Sequence, residues 1–140
     1  MDVRLPELRY AFFCEFVRPE ADGKTTAIGL WGDRCVVQSA APALLPALGL
    51  HAFIANPDGI QCVIEIKLTL PDMEPIIHEV DLQVVPGKTG TNVNFNLFGL
   101  PLNQPGEVVA EITIKSDPPS IRRVVLDVSF QPPGIASPAM

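Results

Sequence analysis

The amino-acid sequence predicts an all-β protein, a single antiparallel β-sandwich of about eight strands. Three observations carry that expectation. Short runs of alternating apolar and polar residues recur about every ten to fifteen residues. Turns bearing Pro or Gly cut the runs off, with 15 Pro and 10 Gly among 140 residues. The one segment rich in helix formers, 38–48, is interrupted by Pro42 and Pro46, which stop a helix after a turn.

The strands expected are 8–17, 25–37, 48–56, 61–70, 76–85, 91–99, 107–115 and 121–130. Tyr10-Ala-Phe-Phe-Cys-Glu-Phe-Val17 opens a hairpin whose turn is 18–24 and whose return begins at Thr25. In this pair Phe12, Cys14, Phe16, Ile28 and Leu30 are expected inside, with Phe13 and Trp31 outside. Segment 38–48 is expected to be a crossover loop. The period of two is plainest in Cys62, Ile64, Ile66, Leu68 and Leu70. It recurs in Ile112 and Ile114, and in Val124, Leu126, Val128 and Phe130 against Arg123, Asp127 and Ser129. Residues 1–130 read as one domain and 131–140 as a Pro-rich tail.

Composition narrows the function classes. A chain of this length buries roughly two thirds of its unfolded surface and needs neither metal nor disulfide to fold. Net charge is −6, and Arg122-Arg123 is the one adjacent pair among ten basic residues, so no nucleic-acid partner is expected. No window is long and apolar enough for a membrane span or a secretory signal. Cys14, Cys35 and Cys62 form no CxxC pair and read as thiols of a reducing compartment, hence a cytoplasmic protein.

If each strand crosses the sandwich once, alternate loops share an end. One end gathers tight polar turns carrying Asp22, Asp58 and Asp117. Calcium prefers such oxygen donors, although Asp before Gly is also what a tight turn requires. The other end gathers the 38–48 segment, 71–75 and 100–106 with the chain termini, and is apolar. Leu44, Leu45, Met73, Leu100 and Leu102 are the interface residues expected there. The run 86–90 lacks the glycine spacing of a phosphate loop. His51 and His78 have no partner histidine at ligand spacing, so no metal or other cofactor is expected. No GxSxG or similar nucleophile setting occurs, although a Cys–His pair meeting only in space stays open. In 91–99, Asn92, Asn94 and Asn96 fall on one face and Val93, Phe95 and Leu97 on the other, an unusual composition for a strand.

Phe12-Phe-Cys-Glu-Phe-Val-Arg, Asp22-Gly-Lys-Thr-Thr-Ala-Ile-Gly-Leu-Trp-Gly and Leu44-Leu-Pro-Ala-Leu-Gly-Leu together resemble a family of small uncharacterised bacterial proteins. Those proteins open with a Phe-Cys-Glu/Asp strand, a Gly-Lys turn and an Ile-Gly strand. Gly106-Glu-Val-Val-Ala-Glu-Ile resembles the edge hairpin of their immunoglobulin-like modules. The resemblance implies an immunoglobulin-like or C2-like sandwich with no assigned activity and no catalytic residues. The expected function is a non-enzymatic interaction or assembly module that meets a protein partner or a second copy through its apolar end. The alternative is a sandwich that binds calcium or a small ligand through the loop aspartates.

Overall fold

The computed structural model describes residues 3–21, 24–82 and 87–131, and is a two-layer β-sandwich. Nine strands form it: β1 Glu7–Pro19, β2 Thr25–Leu30, β3 Arg34–Val37, β4 Ala43–Ala55, β5 Val63–Thr69, β6 Ile76–Asp81, β7 Gly90–Leu102, β8 Gly106–Ile114 and β9 Ser120–Phe130. One sheet has the order β2-β1-β4-β7, the other β3-β9-β8-β5-β6. The strands β5, β8 and β9 lie in the C, F, G order of an immunoglobulin domain, and β4 and β7 in its B, E order.

The five-stranded sheet follows the alternation in the sequence. Ile64, Ile66, Leu68, Ile112, Ile114, Leu126 and Val128 are buried, with Cys62, Val124 and Phe130 packed against them. On its outer face Lys115 reaches Glu65 at 3.1 Å and Glu79 at 2.9 Å.

The four-stranded sheet departs from the expectation in three ways. First, 25–37 is two strands in different sheets: β2 pairs with β1, and after Trp31-Gly32-Asp33 the chain enters β3, parallel to β9. Second, the faces of β1 are reversed. Its pairing with β4 shifts register between Leu8 and Tyr10, and this bulge moves the side chains from Tyr10 to Cys14 to the opposite face. Phe13 is therefore in the core at 1% exposure, while Tyr10, Phe12 and Cys14 lie on the outer face. Third, the crossover segment is largely strand. β4 begins at Ala43, β7 continues to Leu102, and the ladder from Ala43↔Leu102 to Ala55↔Gly90 steps over Pro46 opposite Gly99. Pro46 lacks the N–H for a rung, and Gly99 has the left-handed φ of 63° that the irregularity requires. Across that point the buried positions change parity in both strands, from Leu48 to Leu45 and from Leu97 to Leu100.

Candidate functional site

The outer face of the four-stranded sheet concentrates the unusual residues. Tyr10 and Phe12 on β1 stand opposite Phe53 and His51 on β4, which stand opposite Asn92 and Asn94 on β7. Tyr10 lies with its ring centroid 5.7 Å from both Phe53 and His51, and Phe12 lies 5.2 Å from His51. His51 is buried beneath these rings, and its Nδ1 donates to Asn94 Oδ1 at 2.7 Å.

One row further along, β4 presents Gly49, and Asn96 reaches across it to the strand beyond. Asn96 Oδ1 accepts from the Val17 N–H at 2.9 Å and its Nδ2 donates to the Val17 carbonyl at 2.8 Å. The regular β1–β4 ladder stops at Cys14↔Gly49, so this amide takes the place of the next rung. The following outward position on β4 is the small Ala47, and here Phe98 of β7 meets Phe16 of β1 at 6.0 Å between centroids. Phe16 stands opposite Ile28, so Ile28, Phe16 and Phe98 form one apolar track, with Leu30 further along β2 beyond Gly29.

Two concavities adjoin this face. An open basin of about 460 Å³ is bordered by Glu20, Lys24, Phe53, Lys88, Asn92 and Asn94 among others. A smaller cavity of about 210 Å³ lies where β1 parts from β4, between Glu15, Trp31, Leu45, Pro46 and Ala47. The buried Trp31 Nε1 beside it has no hydrogen-bond partner among the described residues.

The residues singled out from sequence are dispersed. Of the apolar five, Leu44 is 66% exposed, whereas Leu45, Leu100 and Leu102 are buried at 6%, 5% and 0%. Met73 packs against the core. An apolar loop end is thus replaced by a paired extension of β4 and β7, with Leu44 the exposed one of the five. Asp22 lies outside the described residues, as does the tail beyond Gln131. Asp58 is engaged: the Arg4 backbone N–H donates to Oδ2 at 2.6 Å and the guanidinium to Oδ1 at 3.1 Å. These bonds hold the Asp58 carboxyl below its ordinary value. Asp117 is exposed in the β8–β9 connection. Among the described residues no three His, Cys, Asp or Glu side chains gather as a metal site. His78, opposite the buried Ile66, faces the other sheet at the exposed rim and stacks on Phe95 at 5.1 Å.

Burial pushes the thiols of Cys14, Cys35 and Cys62 up, away from the reactive thiolate. Sequence reasoning placed the asparagines on one face but missed the tethers they make. The signal was Gly49: a glycine inside an otherwise large-residue strand marks a close approach.

A family model matches residues 9–128, from β1 to β9. The chain belongs to the family of unknown function DUF6941. No curated protein matches the sequence. Among solved structures, a β-glucosidase from Erythrobacter marinus is similar at 14% identity with a TM-score of 0.43. The likeness covers 90% of this chain and 15% of that one, and carries no argument about activity. DUF6941 thus supplies a family without a chemistry. Among the described residues no helix is long and apolar enough to cross a membrane.

Proposed function

We propose that this DUF6941 chain is a non-enzymatic interaction module that meets a protein partner through the outer face of its four-stranded sheet. The observation that carries the reading is the apolar track. Ile28 and Phe98 are 42% and 65% exposed and Phe16 connects them, and Leu30, further along β2, is 64% exposed. Leu44 faces the same side, and Tyr10 extends the surface toward the aromatic row. Large aromatic and aliphatic side chains grouped on one sheet face are the usual mark of a surface that becomes covered. The raised thiols favour a binding role over nucleophilic chemistry. Three free cysteines suit a reducing compartment, and we place the protein in the cytoplasm on that ground.

The test is a crosslinking capture from native lysate with wild type, Leu30→Asp and the outer-face control Glu65→Gln of the other sheet. The reading expects a discrete crosslinked product that Leu30→Asp loses and Glu65→Gln keeps. The absence of any crosslinked product that depends on Leu30 sinks it.

A further inference from the structure

The strand β7 ends its sheet, and its far side pairs with no strand among the described residues. Its thirteen residues, GTNVNFNLFGLPL, contain no charge, whereas the shorter edge β6 carries Glu79 and Asp81. Exposed edges are ordinarily blunted by Lys, Pro, bulges or brevity. From 91 to 97 β7 has none of these, the irregularity at Gly99 lying beyond.

The direction of its free backbone groups follows from one bond. The Asn56 N–H donates to the Thr89 carbonyl at 2.7 Å, which fixes the hydrogen-bonded pairs of the β4–β7 ladder at alternate positions. Continued along the register, Thr91, Val93, Phe95 and Leu97 turn their N–H and C=O toward β4. Asn92, Asn94 and Asn96 turn theirs outward. The side chains of two of these lean the other way, Asn94 to His51 on β4 and Asn96 to Val17 on β1. Among the described residues the edge backbone therefore has no strand beside it and is not capped by the side chains of Asn94 and Asn96.

We infer that β7 pairs antiparallel with β7 of a second copy, joining two four-stranded sheets into one of eight. The regular segment 91–97 is centred on Asn94, and a two-fold axis there gives it full overlap. Asn94 then exchanges both backbone bonds with its own counterpart, and Asn92 with Asn96 of the second copy. Every residue that faces outward becomes a bonded pair. Outer face meets outer face, and Val93 meets Phe95 on the inner side. A second copy is the occupant this edge fits, because the alternation N-V-N-F-N is nearly palindromic about Asn94 and brings no like charges together. The inference goes beyond the outer-face reading proposed above, because the contact is made by the β7 edge and Leu30 lies on the opposite edge of the sheet.

Sedimentation velocity over a concentration series tests it with the full chain. The expectation is a reversible dimer. In Asn92→Pro each copy loses an outward N–H but no β4 rung, and self-association weakens roughly tenfold or more. Asn92→Lys, which spares the backbone, does the same by charging the seam. Oxidation of Asn94→Cys yields a covalent dimer that wild type does not, whereas Phe98→Cys, placed opposite Gly90 in this register, yields none. Leu30→Asp on the far edge leaves the dimer intact. A wild type that stays monomeric at the highest concentration, a dimer that survives both Asn92 variants, or crosslinking at 98 without crosslinking at 94 overturns the inference. A monomer whose crosslinked partner still depends on Leu30 overturns the pairing and leaves the interaction reading standing.

Discussion

Gly49 has no side chain because three other groups occupy the space where one would go. A Cβ there would come within 2.9 Å of Cys14 Sγ, 3.0 Å of Asn96 Oδ1 and 3.0 Å of a Val17 methyl. Gly49→Ala is therefore expected to destabilise the fold by about 1–3 kcal/mol in denaturant unfolding, and a neutral result would mean the crossing amide is loosely held. Asn96→Ala leaves the Val17 N–H and carbonyl without their partner at a cost of about 2–3 kcal/mol. Hydrogen exchange at the Val17 amide should then accelerate, and unchanged protection would show the tether to be dispensable. The reversal in β1 has its own test. Phe13→Ala opens a core cavity and costs about 3–5 kcal/mol, while Phe12→Ala, on the outer face, costs no more than about 2 kcal/mol. The opposite ranking would restore the unbulged strand.

At the scale of elements, legibility tracked how cleanly a strand separates its two faces. In β5, β8 and β9 the outward positions are mainly polar, so the period of two located their buried faces from sequence. In β1 both faces carry aromatics, Phe12 outside and Phe13 inside, so composition gave no clue to a one-residue bulge at Arg9. Pro46 reads as a breaker, yet the ladder steps over it because the facing residue, Gly99, has a positive φ. That is why the apolar end expected from sequence is the paired extension of β4 and β7. The amide row of the candidate face was visible as composition, but its tethers were not. Seeing that Asn96 lies over Gly49 requires the register of three strands. A paired comparison checks the extension: Leu45→Asp buries an unpaired charge and costs at least about 4 kcal/mol, and Leu44→Asp stays within about 0.5 kcal/mol. Equal effects on melting would return the segment to a loop.

Over the whole molecule, both outer faces expose apolar side chains, Ile77 and Ile121 lying on the face that also carries the ion pairs. One outer face carries the Lys115 ion pairs, and the other the aromatic row and the apolar track. The N-terminal segment is fastened separately, by Arg4 on Asp58 of the β4–β5 connection. The Arg4 backbone N–H, aided by the guanidinium, lowers the Asp58 carboxyl below its ordinary 3.8. A carboxyl lowered in the folded state contributes stability that is present above its ordinary value and lost as pH falls through the lowered one. The clip is thus expected to hold at neutral pH and open below 3.8. An NMR titration of Asp58 should show a midpoint under that value, moving up to it in a variant whose chain begins after Arg4. A midpoint at or above it in the intact chain would mean the contact is not populated.

The parallel pairing of β3 with β9 carries a consequence for how the chain is made. Residues 34–37 have as their neighbours 127–130, and the Gln131 N–H closes the pair on the Val37 carbonyl at 2.8 Å. Synthesis runs from the N-terminus, so the short strand that joins the first sheet to the second emerges from the ribosome long before its neighbour exists. Until the last strand is released, Cys35 and the open flank of the second sheet have nothing to close on. This flank of the sandwich therefore closes only after β9 has emerged, late in the synthesis of the domain.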